Sequence, residues 1–76
     1  MERLIENSVV KAALKEREMT QMALAERMGI SQTSLSNSIN RVRMSVQVLK
    51  EVLDAMEFDV VVVDRRTGEE KWTIDV

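Results

Sequence analysis

Three local signals within residues 20–40 constrain the fold of this chain more than any other feature of its sequence. Thr20 and Ser31 are good helix N-caps, and each is followed by apolar residues at helical spacing. Gly29 lies between the two segments, and glycine readily takes the left-handed conformation that ends a helix. The signals predict a first helix that ends before Gly29, a tight turn, and a second helix over about residues 31–40.

The apolar and polar positions of this segment suit two helices that cross steeply. Ala25 is small enough to let the helices touch. Larger apolar residues would anchor both helices to a core: Leu24, Met28, Ile30 and Leu35. The second helix has an uncharged face that is rich in hydrogen-bonding side chains: Gln32, Thr33, Ser36, Asn37 and Asn40. Together these features predict a helix-turn-helix with a free polar face on its second helix.

The rest of the chain completes a mainly α fold of the α+β class, with four helices followed by a C-terminal β-hairpin. The remaining elements are predicted as a helix over residues 2–17, a helix from Ser45 to about Met56, a strand over 58–63, a loop over 64–70 and a strand over 71–76. Ser8 is an alternative N-cap for the first helix. We expect one domain, with residues 1–57 as its helical part and residues 58–76 as its hairpin.

Charge is distributed unevenly along the chain. The net charge is −2, yet the window from Arg27 to Lys50 contains four basic residues and no acidic one, which leaves a net charge of −6 for the remainder. One interpretation is chance clustering in a short sequence. The other is a surface that binds an anion such as a phosphate backbone.

The residue types that are missing exclude several classes of protein. The chain has no Cys and no His, so it offers neither a disulfide framework, nor a thiolate zinc site, nor an imidazole base. We therefore expect no enzyme activity, no cofactor, no metal and no small-molecule ligand. The longest apolar run is Val60 to Val63, which is far too short to span a membrane. A cytoplasmic protein without membrane association is the expectation.

The segment from Thr20 to Asn40 resembles the helix-turn-helix of the Cro/repressor-like (XRE-type) family of bacterial and phage regulators. The resemblance extends more loosely over residues 4–56, and some small single-domain members carry a similar hairpin with a loop like Arg66-Thr-Gly-Glu-Glu. Many members have a branched apolar residue where this chain has Ser38, and here the apolar residue comes one position later. The resemblance implies a sequence-specific regulator of transcription that binds double-stranded DNA, of the Cro-like repressor kind.

The resemblance also implies roles for individual residues. It implies that Gln21 binds a phosphate and that Gln32 and Thr33 touch base edges. Their chemistry agrees, since Gln can pair with adenine and a Thr methyl can pack on a thymine methyl. The predicted base contacts are Gln32, Thr33, Ser36 and Asn37. The predicted phosphate contacts are Gln21, Ser31, Asn40, Arg41 and Arg43, with Arg27 and Lys50 as further basic candidates. The alternatives are a helix cap for Ser31 and ordinary solvated side chains for the others.

Two features predict a homodimer. One recognition helix reads only a few base pairs, each worth about 1–3 kcal/mol of discrimination, so specificity favours two half-sites. A two-stranded hairpin is marginally stable alone, and its first strand is apolar on both faces. The predicted dimer interface comprises Val61, Val63, Trp72 and Ile74. The alternatives are a monomer with the hairpin packed on its own fourth helix, and a protein-interaction module, such as an antitoxin or anti-repressor, that acts through the hairpin.

Overall fold

The computed structural model describes residues 3–41 and 43–75, in which four helices precede a two-stranded antiparallel hairpin. The elements are α1 Glu6–Glu16, α2 Gln21–Met28, α3 Gln32–Ile39, α4 Val46–Ala55, β1 Val60–Asp64 and β2 Glu69–Ile74. The predicted fold class is confirmed. The predictions for residues 2 and 76 lie outside the described residues.

Three of these helices begin after a residue whose hydroxyl side chain caps the N-terminus. Thr20, Ser31 and Ser45 each accept a hydrogen bond of 3.1 Å from the backbone N–H three residues later. Each bond satisfies one donor that a helix start leaves without a partner, and such a cap is typically worth about 1 kcal/mol. The three caps predicted from the sequence are confirmed.

The start of α1 differs from the prediction. The helix begins at Glu6 with no side-chain cap, and residues 3–5 are not helical. Ser8 lies inside the helix, so its prediction as an N-cap is wrong. Glu6 lies in the first turn of α1, where the helix dipole stabilises its negative charge. Its Oε2 also accepts a bond of 3.4 Å from the backbone N–H of Met44.

Three helices end in the same left-handed turn. The residues with positive φ are Glu18 (51°), Gly29 (68°) and Glu57 (64°). In each case the next residue donates its N–H to the carbonyl five positions earlier: Met19 to Leu14 (2.9 Å), Ile30 to Ala25 (3.1 Å) and Phe58 to Leu53 (2.9 Å). This is the Schellman arrangement, in which a hydrophobic residue after the turn commonly packs back on the helix. The sequence predicted only the turn that contains glycine.

Apolar residues from all four helices form one core. Its fully buried side chains are Val10, Leu24, Leu35, Ile39, Val52 and Met56. Ala25 is 2% exposed, in agreement with the small residue expected within the helix-turn-helix. Phe58 and Val60 pack at the margin of this core and connect the hairpin to it.

The strands of the hairpin are shifted toward the loop, and the loop is shorter than predicted. The loop comprises residues 65–68, and the N–H of Gly68, whose φ is 76°, donates to the Asp64 carbonyl at 2.7 Å. The register pairs Val62 with Trp72, and an irregularity follows between Val62 and Val63. This bulge adds a residue on β2, which is why the simple alternation in the sequence misplaced the strand ends.

None of the helices in the two described ranges is long and apolar enough to cross a membrane.

Candidate nucleic-acid interface

α3 presents a polar face to solvent. The helix buries Leu35 and Ile39, and because successive residues are about 100° apart, Thr33 and Asn37 lie on the opposite side. Gln32 at its first turn is exposed, as are Thr33 and Asn37. Three of the four predicted base-contact residues are therefore exposed, and two of them, Thr33 and Asn37, share the face opposite the core.

The fourth, Ser36, lies where α3 meets α2. It is half-buried, and its hydroxyl donates to Oε1 of Gln21 at 3.0 Å. Gln21 is the first residue of α2. With its carbonyl oxygen used by Ser36, the amide retains its NH₂ group as a donor, which is the group that a phosphate oxygen requires.

The residues around the two ends of α3 are exposed. Ser31 caps the helix and also donates to the Ser34 hydroxyl at 2.9 Å, so its role as a cap is established. Asn40 is the C-cap residue, and Arg41 and Arg43 follow it at the surface. Within residues 3–41 and 43–75, neither arginine forms an ion pair, so both guanidinium groups are available to an anion.

The other two basic residues of the positive window contact other groups of the protein, Arg27 at the surface and Lys50 in a buried position. Nη1 of Arg27 donates to the Ala55 carbonyl at the end of α4, at 3.0 Å. Lys50 is only 4% exposed, and its Nζ lies 3.5 Å from Oδ1 of Asp54 and 3.7 Å from Oδ1 of Asp59. Lys50 is therefore not accessible, whereas Arg27 stays exposed beside the Ala55 carbonyl, and Arg41 and Arg43 are the accessible cations next to α3.

Three of the helix N-termini carry no acidic residue. The first turns of α2, α3 and α4 contain no acidic residue, whereas that of α1 contains Glu6. A helix N-terminus attracts anions through its free N–H groups and its dipole. The start of α4, close in sequence to Arg43, is a candidate phosphate site that the sequence reasoning missed. Its signal was the uncharged pair Val46 and Gln47 after a serine cap.

The predicted dimer residues do not share one face of the hairpin. Residues directly opposite each other in the ladder lie on the same face, so Trp72 lies beside Val62, with Ile74 on that face as well. Val61 and Val63 lie on the other face, since side chains alternate along a strand. Trp72 is 68% exposed and Val62 is 41% exposed. The sequence did not identify Val62 as a candidate, because its neighbour Trp72 on β2 could be identified only from the strand register.

Comparison with known proteins gives one match. The sequence model of a family described as helix-turn-helix (HTH_3) matches residues 10–62, which is more than half of the chain. The matched region begins inside α1, includes the two capped helices and their turn, and ends inside β1. No curated protein and no solved structure matches the chain.

Proposed function

This chain belongs to the XRE-type helix-turn-helix family of DNA-binding transcription regulators, and we propose that it binds a pseudo-palindromic operator as a homodimer. The observation that carries the proposal is the exposed, uncharged polar face of α3. Each copy would place this recognition helix in the major groove, with the two half-sites about 34 Å apart. Bound across a promoter, the dimer would repress transcription by excluding polymerase.

Gln32, Thr33 and Asn37 are the proposed base-reading residues. Their amide and hydroxyl groups match the donors and acceptors on base edges, and the Thr33 methyl suits a thymine methyl. Ser36 has a second proposed role beside base contact. Its hydroxyl holds the Gln21 side chain, so the loss of Ser36 would also disturb a phosphate contact.

Phosphate contacts would orient the protein without reading sequence. Arg41 and Arg43 supply the accessible cations, while Gln21, Ser31 and Asn40 supply neutral polar groups around the same surface. The N-termini of α2 and α4 add backbone N–H groups. With so few cations, non-specific affinity would be modest, and base contacts would contribute a large share of the total.

The hairpin is the proposed dimerisation element, formed by residues 58–76 of the same domain. β1 contains four consecutive valines, and an edge strand without charges in its centre is prone to pair with another strand. Edge-to-edge pairing of two hairpins would extend both faces of the sheet at once. Val61 and Val63 would then lie beside their counterparts on one face, and Trp72 and Ile74, one strand further from the seam, would extend the other face of the shared sheet.

Selection of bound DNA from a random pool tests the proposal. We expect one palindrome to be enriched, with binding that weakens steeply as salt rises. The double variant Gln32→Ala/Asn37→Ala should lose the preference for that palindrome while it keeps its helical circular dichroism. Lys11→Ala, at an exposed position of α1, is the matched control and should retain the preference.

Two results would contradict the proposal. Undetectable DNA binding at about 50 mM salt, where phosphate contacts are strongest, would refute operator binding. It would favour the protein-interaction module, for which the exposed Trp72 is the natural contact. A monomer that binds the palindrome as tightly as a dimer would refute the role of the hairpin.

A further inference from the structure

Residues 56–59 connect α4 to β1, and they are called the junction below. Glu57 has a φ of 64°, and the N–H of Phe58 donates to the Leu53 carbonyl at 2.9 Å. The chain therefore leaves α4 through a defined turn. The direction of the hairpin relative to the helices depends on these few backbone angles.

Arg17, at the end of α1, holds the junction from one side. Its Nε donates to the Met56 carbonyl at 3.0 Å, and its Nη2 donates to the Glu57 carbonyl at 3.2 Å. The guanidinium carbon lies 4.0 Å from the centre of the Phe58 ring, which adds a cation–π contact. One side chain thus contacts three consecutive residues of the junction from 39 positions earlier in the chain.

Lys50 holds the last residue of the junction from within α4. Its buried ammonium lies 3.7 Å from Oδ1 of Asp59, directly before β1. Hydrophobic packing leaves the junction partly open, because a groove of about 280 Å³ lies beside Phe58 between α1 and α4. The polar contacts of Arg17 and Lys50 are therefore well placed to fix the hairpin direction.

We propose that Arg17 is a positioning residue that, together with the Lys50–Asp59 pair, determines the spacing between the two operator half-sites. This inference rests on the proposed hairpin dimer, in which the hairpin angle sets the separation of the two α3 helices. For a lever arm of about 20 Å, half the 40 Å length of the molecule, a hairpin rotation of about 10° would move α3 by about 3.5 Å, close to the rise of one base pair. A small change in the backbone angles of the junction would therefore change which half-site spacing the dimer binds.

The first test measures binding to a set of palindromes that differ only in the spacer between identical half-sites, from two base pairs shorter to two longer. We expect the unmodified protein to prefer one spacer over its neighbours by about tenfold or more, since a misplaced helix loses base contacts. Arg17→Ala should reduce that ratio to about threefold or less, while binding to a single half-site and dimerisation remain unchanged.

Three further variants distinguish the loss of the hydrogen-bonding geometry of Arg17 from a loss of charge or of stability. Arg17→Lys keeps the charge but lacks the planar fork that reaches two carbonyls, so it should also flatten the spacer profile. Asp59→Asn removes an exposed partner of Lys50 and should flatten it in part, with the fold intact. Lys11→Ala removes an α1 cation elsewhere and should leave the profile as in the unmodified protein.

The second test needs no DNA. The chain has no native cysteine, so spin labels at Glu26→Cys on α2 and Arg65→Cys in the hairpin loop report the body-to-hairpin distance in label-diluted samples. Arg17→Ala should broaden this distance distribution, and Lys11→Ala should not.

The outcomes distinguish the two proposals. An unchanged spacer profile or an unchanged distance distribution in Arg17→Ala overturns the role of Arg17 and leaves operator binding intact. An unmodified protein that shows no spacer preference overturns both, because a rigid two-fold dimer requires one.

Discussion

Replacing Gly29 with alanine tests how the turn of the helix-turn-helix is stabilised. Gly29 has a φ of 68°, and a Cβ added there would have no atom within 4 Å. The substitution creates no clash, so its cost is the strain of an alanine in the left-handed region, about 1–2 kcal/mol. Alanine also has less conformational entropy than glycine in the unfolded chain, which offsets part of this cost. We therefore expect Gly29→Ala to lower the free energy of unfolding by about 1 kcal/mol.

The same turn at the end of α1 allows the reverse substitution. Glu18 has a φ of 51° with an identical hydrogen-bond pattern, so Glu18→Gly should raise the free energy of unfolding by a similar amount, about 1 kcal/mol at most. Glu18→Ala is the matched control, because it removes the carboxylate but keeps the Cβ. The difference between the glycine and alanine variants isolates the backbone contribution from the charge.

Urea denaturation followed by circular dichroism at 222 nm, a helix-specific wavelength, measures all three variants. For a domain of this size a change of 1 kcal/mol corresponds to about 4–8 °C in Tm, so thermal unfolding provides a second readout. The reasoning is refuted if Gly29→Ala unfolds at the same urea concentration as the unmodified protein. It is also refuted if Glu18→Gly is no more stable than Glu18→Ala.

Three other predictions concern the core, the hairpin and the charge of the interface. Leu24→Ala should lower the free energy of unfolding by about 2–5 kcal/mol in urea denaturation, because this fully buried side chain leaves a cavity; a loss below about 1 kcal/mol would contradict its place in the core. Trp72→Ala should weaken the dimer in sedimentation equilibrium with little effect on monomer stability, since Trp72 is mostly exposed; an unchanged dimer would exclude Trp72 from the interface. Arg43→Ala should make the slope of log affinity against log salt shallower by about 2 for a dimer, from two lost phosphate contacts; an unchanged slope would mean that Arg43 binds no phosphate.

Local signals were sufficient to predict most of the helices. The caps at Thr20, Ser31 and Ser45 and the glycine turn depend on residues within a few positions of one another, so the sequence specifies them directly. The polar face of α3 could be predicted in the same way. The helical period of α3 alone determines which residues lie opposite the buried pair Leu35 and Ile39, independently of the other elements.

Features that depend on distant contacts could not be predicted. Glu18 and Glu57 adopt positive φ although glycine is absent, and the hydrophobic residues that follow them pack against the core. The contacts of Arg27 with Ala55 and of Lys50 with Asp59 were likewise not predictable, because these partners lie on another element or across a turn. Only the Lys50–Asp54 pair has the i, i+4 spacing of a single helix. Arg27 and Lys50 both read as surface cations in the sequence, yet each stabilises the end of α4 or the start of the hairpin.

Because Arg27 and Lys50 have partners within the protein, the positive charge available for binding DNA is smaller than the charge counted in the sequence. With Lys50 buried and Arg27 hydrogen-bonded to the Ala55 carbonyl, the unengaged positive charge beside the recognition helix is that of Arg41 and Arg43, and the chain as a whole is acidic. Non-specific affinity for DNA depends on counterion release by cations, so this term is weak here. In the proposed dimer, discrimination would then rely on neutral base contacts and on the simultaneous fit of two half-sites. Such a dimer would tolerate little angular error, which would give the contacts of Arg17 at residues 56–59 a larger role than their position far from α3 suggests.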